Sequence, residues 1–170
     1  MTHIWVRAEQ RDHETRTGIT PTGARKLMDA GVTVTVEQSA TRVILDADYA
    51  AAGCTMAATN SWPDAPHDAV IFGLKELPDD GTPLPHRHIM FGHAFKGQPA
   101  GLRLLKRFAT GGGALLDLEY LVDDTARRVA AFGYWAGYAG AAVALKCWAA
   151  QRSGKTMGAV SAYPSATHLL

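Results

Sequence analysis

Short apolar runs alternate with polar, turn-rich stretches along the chain. Ile4-Trp5-Val6-Arg7-Ala8-Glu9 predicts a first strand, and the β-branched run Val32-Thr33-Val34-Thr35-Val36 a second. Cys54 to Ala58 predicts a weak third. Ala69-Val70-Ile71-Phe72, ending at Leu74, and Ile89-Met90-Phe91-Gly92 are short buried-type strands, and Ala114 to Tyr120 is the last. Helical patterns fall between them. Thr20 caps a helix that has Pro21 at its first position, runs to Ala30 and closes on Gly31. Asp46 to Ala52 closes on Gly53. Pro99 to Ala109 carries Leu102, Leu105 and Phe108 on one side. A long helix from Gly133 to Gln151 has a smooth face of Gly137, Gly140, Ala141 and Ala144.

Strands alternating with helices predict an α/β fold: a three-layer, mostly parallel sheet flanked by helices, plus a Gly/Ala-rich helix near the C-terminus. Residues 1–132 are expected to form the substrate and catalytic domain. Residues 133–152 form an interdomain-type helix and 153–170 a tail or linker. The chain has no internal repeat and no low-complexity segment.

Composition narrows the function classes. The 170 residues are 47% hydrophobic and 19% charged, which fits one globular domain with a real core. The formal net charge is +1 and no basic stripe carries interleaved aromatics, which argues against a nucleic-acid partner. No apolar run approaches the roughly 18 residues of a membrane span. The amino terminus lacks a signal-peptide pattern, so a cytoplasmic location is expected. Cys54 and Cys147 suggest neither a disulfide framework nor a zinc site.

The candidate chemistry sits where apolar runs stop. Lys75 and Glu76 follow one run and His93 follows another. In parallel α/β sheets the carboxyl edge is the ligand-binding edge, and a lysine and a histidine there suit proton transfer near neutral pH. The plainer reading of Lys75 is a solvated strand-end charge. Arg16, beside Glu14 in the loop after the first strand, has the two-pronged donor geometry that grips carboxylates. Lys96, Glu119, Arg127 and Arg128 take similar strand-end positions, each also explicable as structural. His86-x-His88 with His93 offers a metal pair but no matching third ligand. Gly111-Gly112-Gly113 has neither dinucleotide nor Walker spacing and lies between a helix and a strand. It reads as a helix stop.

Taken together, these residues resemble the amino-terminal part of the lysine-forming saccharopine dehydrogenases, of the alanine dehydrogenase and transhydrogenase type. The resemblance rests on Arg7-Ala8-Glu9, Glu14-Thr15-Arg16 leading to Thr20-Pro21, Gly73-Leu74-Lys75-Glu76, His86-Arg87-His88-Ile89, Phe91-Gly92-His93 and Phe95-Lys96. It continues through Asp117-Leu118-Glu119, Arg127 to Gly133, Ala136-Gly137, and Ala159-Val160-Ser161 with Tyr163-Pro164. It implies that Lys75 and His93 are the acid-base pair and Arg16 the carboxylate grip. Glu76 and Glu119 would tune the pair, with Lys96 at the substrate and Arg128 at the cleft. The family oxidises saccharopine, a secondary amine, with NAD, and hydrolyses the imine to lysine and 2-oxoglutarate.

Family members run about twice this length and carry a Rossmann domain after the long helix. The resemblance therefore implies no NAD site in this chain, with NAD relevant only if a partner supplies that domain. Three functions follow: acid-base cleavage or formation of a lysine-derived imine, half of a split NAD-dependent enzyme, or a non-catalytic binding or oligomerisation module. The expected partners are a small amino-acid-type substrate and either a second copy in a homodimer or a separate redox protein.

Overall fold

Residues 1–160 and His168 are described by a computed structural model. They fall into two compact units, Met1–Arg128 and Val129–Leu170.

The first unit is one sheet of six strands: β1 His3–Val6, β2 Thr33–Glu37, β3 Thr55–Ala57, β4 Val70–Phe72, β5 Arg87–Met90 and β6 Ala114–Asp117. Their order is β3-β2-β1-β4-β5-β6, and every pairing is parallel. The chain winds outward from β1 through β2 to β3, then returns to the other side of β1 with β4. That reversal puts a topological switch point between β1 and β4, where the two connecting loops part at the carboxyl edge.

Alternation along the strands divides the core. Val6, Val34 and Val36 pack with Ala24 of helix α1 (Pro21–Asp29) and Tyr49 of helix α2 (Asp46–Ala51). Ile71 and Met90 join Leu104 and Phe108 of helix α3 (Pro99–Gly111) in a second cluster. Two separate helix-packed cores about one sheet make three layers. Thr20 caps α1 as expected, its side chain accepting the Gly23 N–H.

Several boundaries differ from the sequence reading. β1 stops at Val6 rather than Glu9, because Arg7 turns its side chain into the protein and Glu9 bonds to the loop after β4. β5 begins and ends two residues before the predicted apolar run. β6 stops at Asp117 and Leu118–Tyr120 forms a 3-10 turn, because the Asp117 carboxylate accepts the Glu119 N–H. On α3 the buried positions are Gly101, Leu104, Arg107 and Phe108, whereas Leu102 is exposed. Gly112 ends that helix in the left-handed region, as a helix stop requires.

His86 and His88 are core residues. The His88 ring lies edge-on to Trp62 and Phe108, at centroid distances of 5.1 and 5.4 Å, and His86 Nε2 meets the Ala65 carbonyl at 3.1 Å. Among the described residues no group of three or more His, Cys, Asp or Glu could hold a metal ion, and no helix is long and apolar enough to cross a membrane.

The second unit contains helix α4, Gly133–Arg152. Its surface carries exposed Tyr134, Trp135, Leu145 and Trp148 besides the small residues that the sequence emphasised.

Candidate functional site

The switch point is lined by charge. Arg7 is fully buried at the end of β1, and Glu9 lies 3.5 Å from it. Glu9 accepts the Leu74 N–H at 2.6 Å through Oε1 and the Lys75 N–H at 3.0 Å through Oε2. Arg7 donates to the Lys75 carbonyl and, at 3.2 Å, to that of Ala8. A side chain at position 73 would overlap the Arg7 guanidinium, which is why a glycine precedes Leu74-Lys75.

Across the same crevice Glu14 grips Arg16. Its Oε1 accepts the backbone N–H and Nε of Arg16 at 3.0 and 2.8 Å, and its Oε2 accepts Nη2 at 2.6 Å. Those side-chain hydrogen bonds hold the Glu14 carboxyl at about 2, against the opposing effect of burial, and the nearby charge of Lys75 adds to the lowering. Arg16, half-exposed, is thereby aimed by its own neighbour.

A second charged cluster forms where β5 and β6 end. Glu119 accepts from Lys96 Nζ at 2.9 Å and from Arg128 Nη2 at 3.2 Å, and its Oε2 lies 3.8 Å from His93 Nδ1. The hydrogen bond from Lys96 holds the Glu119 carboxyl below the ordinary carboxylate range; burial opposes this, and Arg128 and His93 reinforce it. The loop is held by Asp117, which accepts the N–H groups of Gly92 and Ala94 and so brackets His93. His93 itself has φ of 49°, in the left-handed region. A bridge between Val122 and Arg128 folds residues 122–128 back and returns Arg128 to Glu119.

The two clusters communicate through the β4–β5 pairing. Gly73 N–H donates to the Ile89 carbonyl and Phe91 N–H to the Leu74 carbonyl, both at 3.0 Å, extending the ladder past the strands. Lys75 and His93 follow directly. Glu76 and His93 line one cleft together with Leu104 and Arg107 of α3, and Glu76 also accepts from Arg11 at 3.0 Å.

This sheet with charged loops at its carboxyl edge has known counterparts. The family model described as alanine dehydrogenase/PNT, N-terminal domain, matches residues 5–139. The chain belongs to that family. As an alanine dehydrogenase/PNT domain it is 53% identical, over 87% of its length, to a saccharopine dehydrogenase [NAD(+), L-lysine-forming] of Emericella nidulans, covering 40% of that protein. The enzyme of the same name from Yarrowia lipolytica is 46% identical over 98% of the chain, which covers 46% of it. The chain thus spans less than half the length of these curated relatives. A transhydrogenase from Sinorhizobium meliloti shares the fold, with a TM-score of 0.66 at 19% identity over 85% of this chain and 43% of its own.

Within this alanine dehydrogenase/PNT domain the predicted residues form two groups rather than one. Arg16 lines the switch-point crevice, and Arg7 and Glu9 of that crevice hold the Lys75 backbone. His93, Lys96, Glu119 and Arg128 belong to the β5–β6 cluster, and Glu76 stands between. Arg127 is not in either: it pairs with Asp123 at 3.2 Å in the returning segment. Three residues went unassigned from sequence: Glu9, Glu37 and Asp117. Glu37 is fully buried and accepts four hydrogen bonds, from Trp5 Nε1 and from the backbone N–H groups of Ala8, Asn60 and Trp62. Glu37 follows the β-branched run Val32 to Val36 as a lone carboxylate, a local signal, whereas Glu9 and Asp117 stand near other charges, Arg7 and Glu119.

Proposed function

We propose that this domain carries the proton-transfer half of a saccharopine-dehydrogenase-type reaction on a lysine-derived secondary amine or imine. The observation that carries the reading is the placement of Lys75 and His93 on the loops after adjacent parallel strands, with an oriented Arg16 on the loop after the next strand, β1. The names of the relatives supply the substrate class.

Arg16, steered by Glu14, takes a substrate carboxylate by paired N–H donation. Lys75 and His93 then act on the C=N bond. One removes a proton from attacking water as it adds to the carbon; the other protonates nitrogen, and the carbinolamine breaks its C–N bond to give amine and carbonyl. Glu119 Oε2 faces His93 Nδ1 at 3.8 Å. No electrons change hands in this sequence.

NAD would serve the preceding oxidation. The β1–α1 loop is a poor fit for a dinucleotide. It lacks the glycine-rich turn, and the space beside Gly18 is occupied by the Phe72 ring. The relatives' greater length favours a second form of the reading, in which a separate segment or chain supplies the nucleotide site.

Titration calorimetry tests this directly. The domain should bind saccharopine and not NAD, and Lys75→Met should abolish ligand-dependent activity. Saccharopine binding and function unchanged in that variant would leave only a non-catalytic role.

A further inference from the structure

Lys75 is held by its backbone, and the holding is elaborate. Every backbone polar group of Lys75 is engaged by one ion pair: its N–H by Glu9 and its carbonyl by Arg7. The preceding N–H, of Leu74, is taken by the other oxygen of the same Glu9 carboxylate. Both side chains are almost wholly withdrawn from solvent, Arg7 at 0% and Glu9 at 7% exposure. Burial works against the charge on Arg7, and Glu9, Glu37 and Glu76 work for it. A buried guanidinium is an expensive way to cap a strand when a neutral side chain would do. Its location, at the β1–β4 switch point with the Lys75 carbonyl as its acceptor, gives that expense a function.

We propose that Arg7 and Glu9 are positioning residues: together they clamp the Leu74-Lys75 backbone so that the Lys75 side chain enters the crevice from a fixed origin. Gly73 is the third part of the clamp, since only a residue without a Cβ lets the Arg7 guanidinium cross beneath the chain to the Lys75 carbonyl. The charge on Glu9 matters, not just its shape. Two backbone N–H donors converge on its two oxygens, and an amide in its place would turn an NH₂ group against one of them. The inference rests on the reading of Lys75 as a proton-transfer group.

The test is a double-mutant cycle on the 170-residue chain, with saccharopine as the titrated ligand and amide hydrogen exchange as the local readout. Glu9→Gln should weaken saccharopine binding about tenfold in the wild-type background and less than about twofold in the Lys75→Met background, because the effect runs through Lys75. Leu74 and Lys75 amides should exchange at least about tenfold faster relative to Val34 in central strand β2, marking a local release. Arg7→Lys, which keeps the charge but loses the fork, should fall between wild type and Glu9→Gln. A Glu9→Gln effect of full size in the Lys75→Met background overturns the proposal. So does exchange that rises equally at Val34, which would mark a merely structural loss. Undiminished ligand-dependent activity in Lys75→Met alone overturns the reading of Lys75, while the exchange data still decide whether the clamp exists.

Discussion

The Glu14 carboxylate meets Arg16 through three hydrogen bonds, one to the backbone N–H and two to the guanidinium, although the two residues are only two apart in the chain. That local pairing has a consequence for acid stability. Folding depresses the Glu14 pKa from an ordinary 4.5 to about 2, so its contribution is complete above pH 4.5 and is lost as pH falls toward 2. Half-exposed Arg16 is screened by solvent, which limits the effect to about 1–2 kcal/mol. Urea unfolding at a series of pH values should show a shallower decline in this window for Glu14→Gln. The same variant, with Arg16 no longer aimed, should bind saccharopine more weakly at pH 7.

His88 adds a second acid-sensitive window. Burial, then the charges of Arg7, His86 and Arg107, push its pKa down from 6.5 to about 3. The unfolded chain takes up the proton first, so stability is full above pH 6.5 and declines as pH falls toward 3, by on the order of 5 kcal/mol. Among the described residues neither ring nitrogen has a hydrogen-bond partner. His88→Leu should therefore equal or exceed wild-type stability at pH 7 and flatten the decline between pH 6.5 and 4.5, measured by urea denaturation at a series of pH values.

Glu37→Gln should destabilise the domain by about 3 kcal/mol. Its carboxylate accepts four donors with no exposure to water, and an amide NH₂ would oppose two of them, Trp5 Nε1–H and the Trp62 N–H in place of Oε1 or the Ala8 and Asn60 N–H groups in place of Oε2. Thermal or urea unfolding at pH 7 measures the loss. An unchanged midpoint would contradict the network.

Gly113→Ala should cost about 2–4 kcal/mol. A Cβ there would collide with the backbone carbonyls of Leu84 and His86, which the Gly113 and Ala114 N–H groups approach as β6 enters the sheet beside β5. Gly112→Asn, at the left-handed helix cap, should be far milder. Comparing the two variants by thermal unfolding separates close packing from backbone conformation.

Much of this was legible in the sequence. The β-branched run of β2, the apolar run of β4 and the Thr20-Pro21 start of α1 gave strong local signals, and the alternation of strand and helix led to the parallel sheet. Lys75, Glu76 and His93 stand out as candidates because they follow directly on apolar runs. What escaped depended on contacts distant in the chain. Nothing near Glu9 indicates that its partners lie 65 and 66 residues onward. The split of the candidate residues into two clusters follows from strand order, which local periodicity does not encode. The early end of β6 depends on one Asp117 side chain competing for backbone donors.

Strand order also sets a length. Arg16 hangs from the loop after β1, Lys75 from β4, His93 from β5 and Glu119 from the end of β6, and these four strands are consecutive neighbours in the sheet. Adjacent strands stand about 4.8 Å apart, so the row from the β1 loop to the β6 loop spans roughly 14 Å. The sheet edge is thereby a ruler. A compact amino acid can touch one graduation or two at a time, whereas an extended molecule with charged groups at both ends can lie along the whole scale, its middle set over the lysine and the histidine.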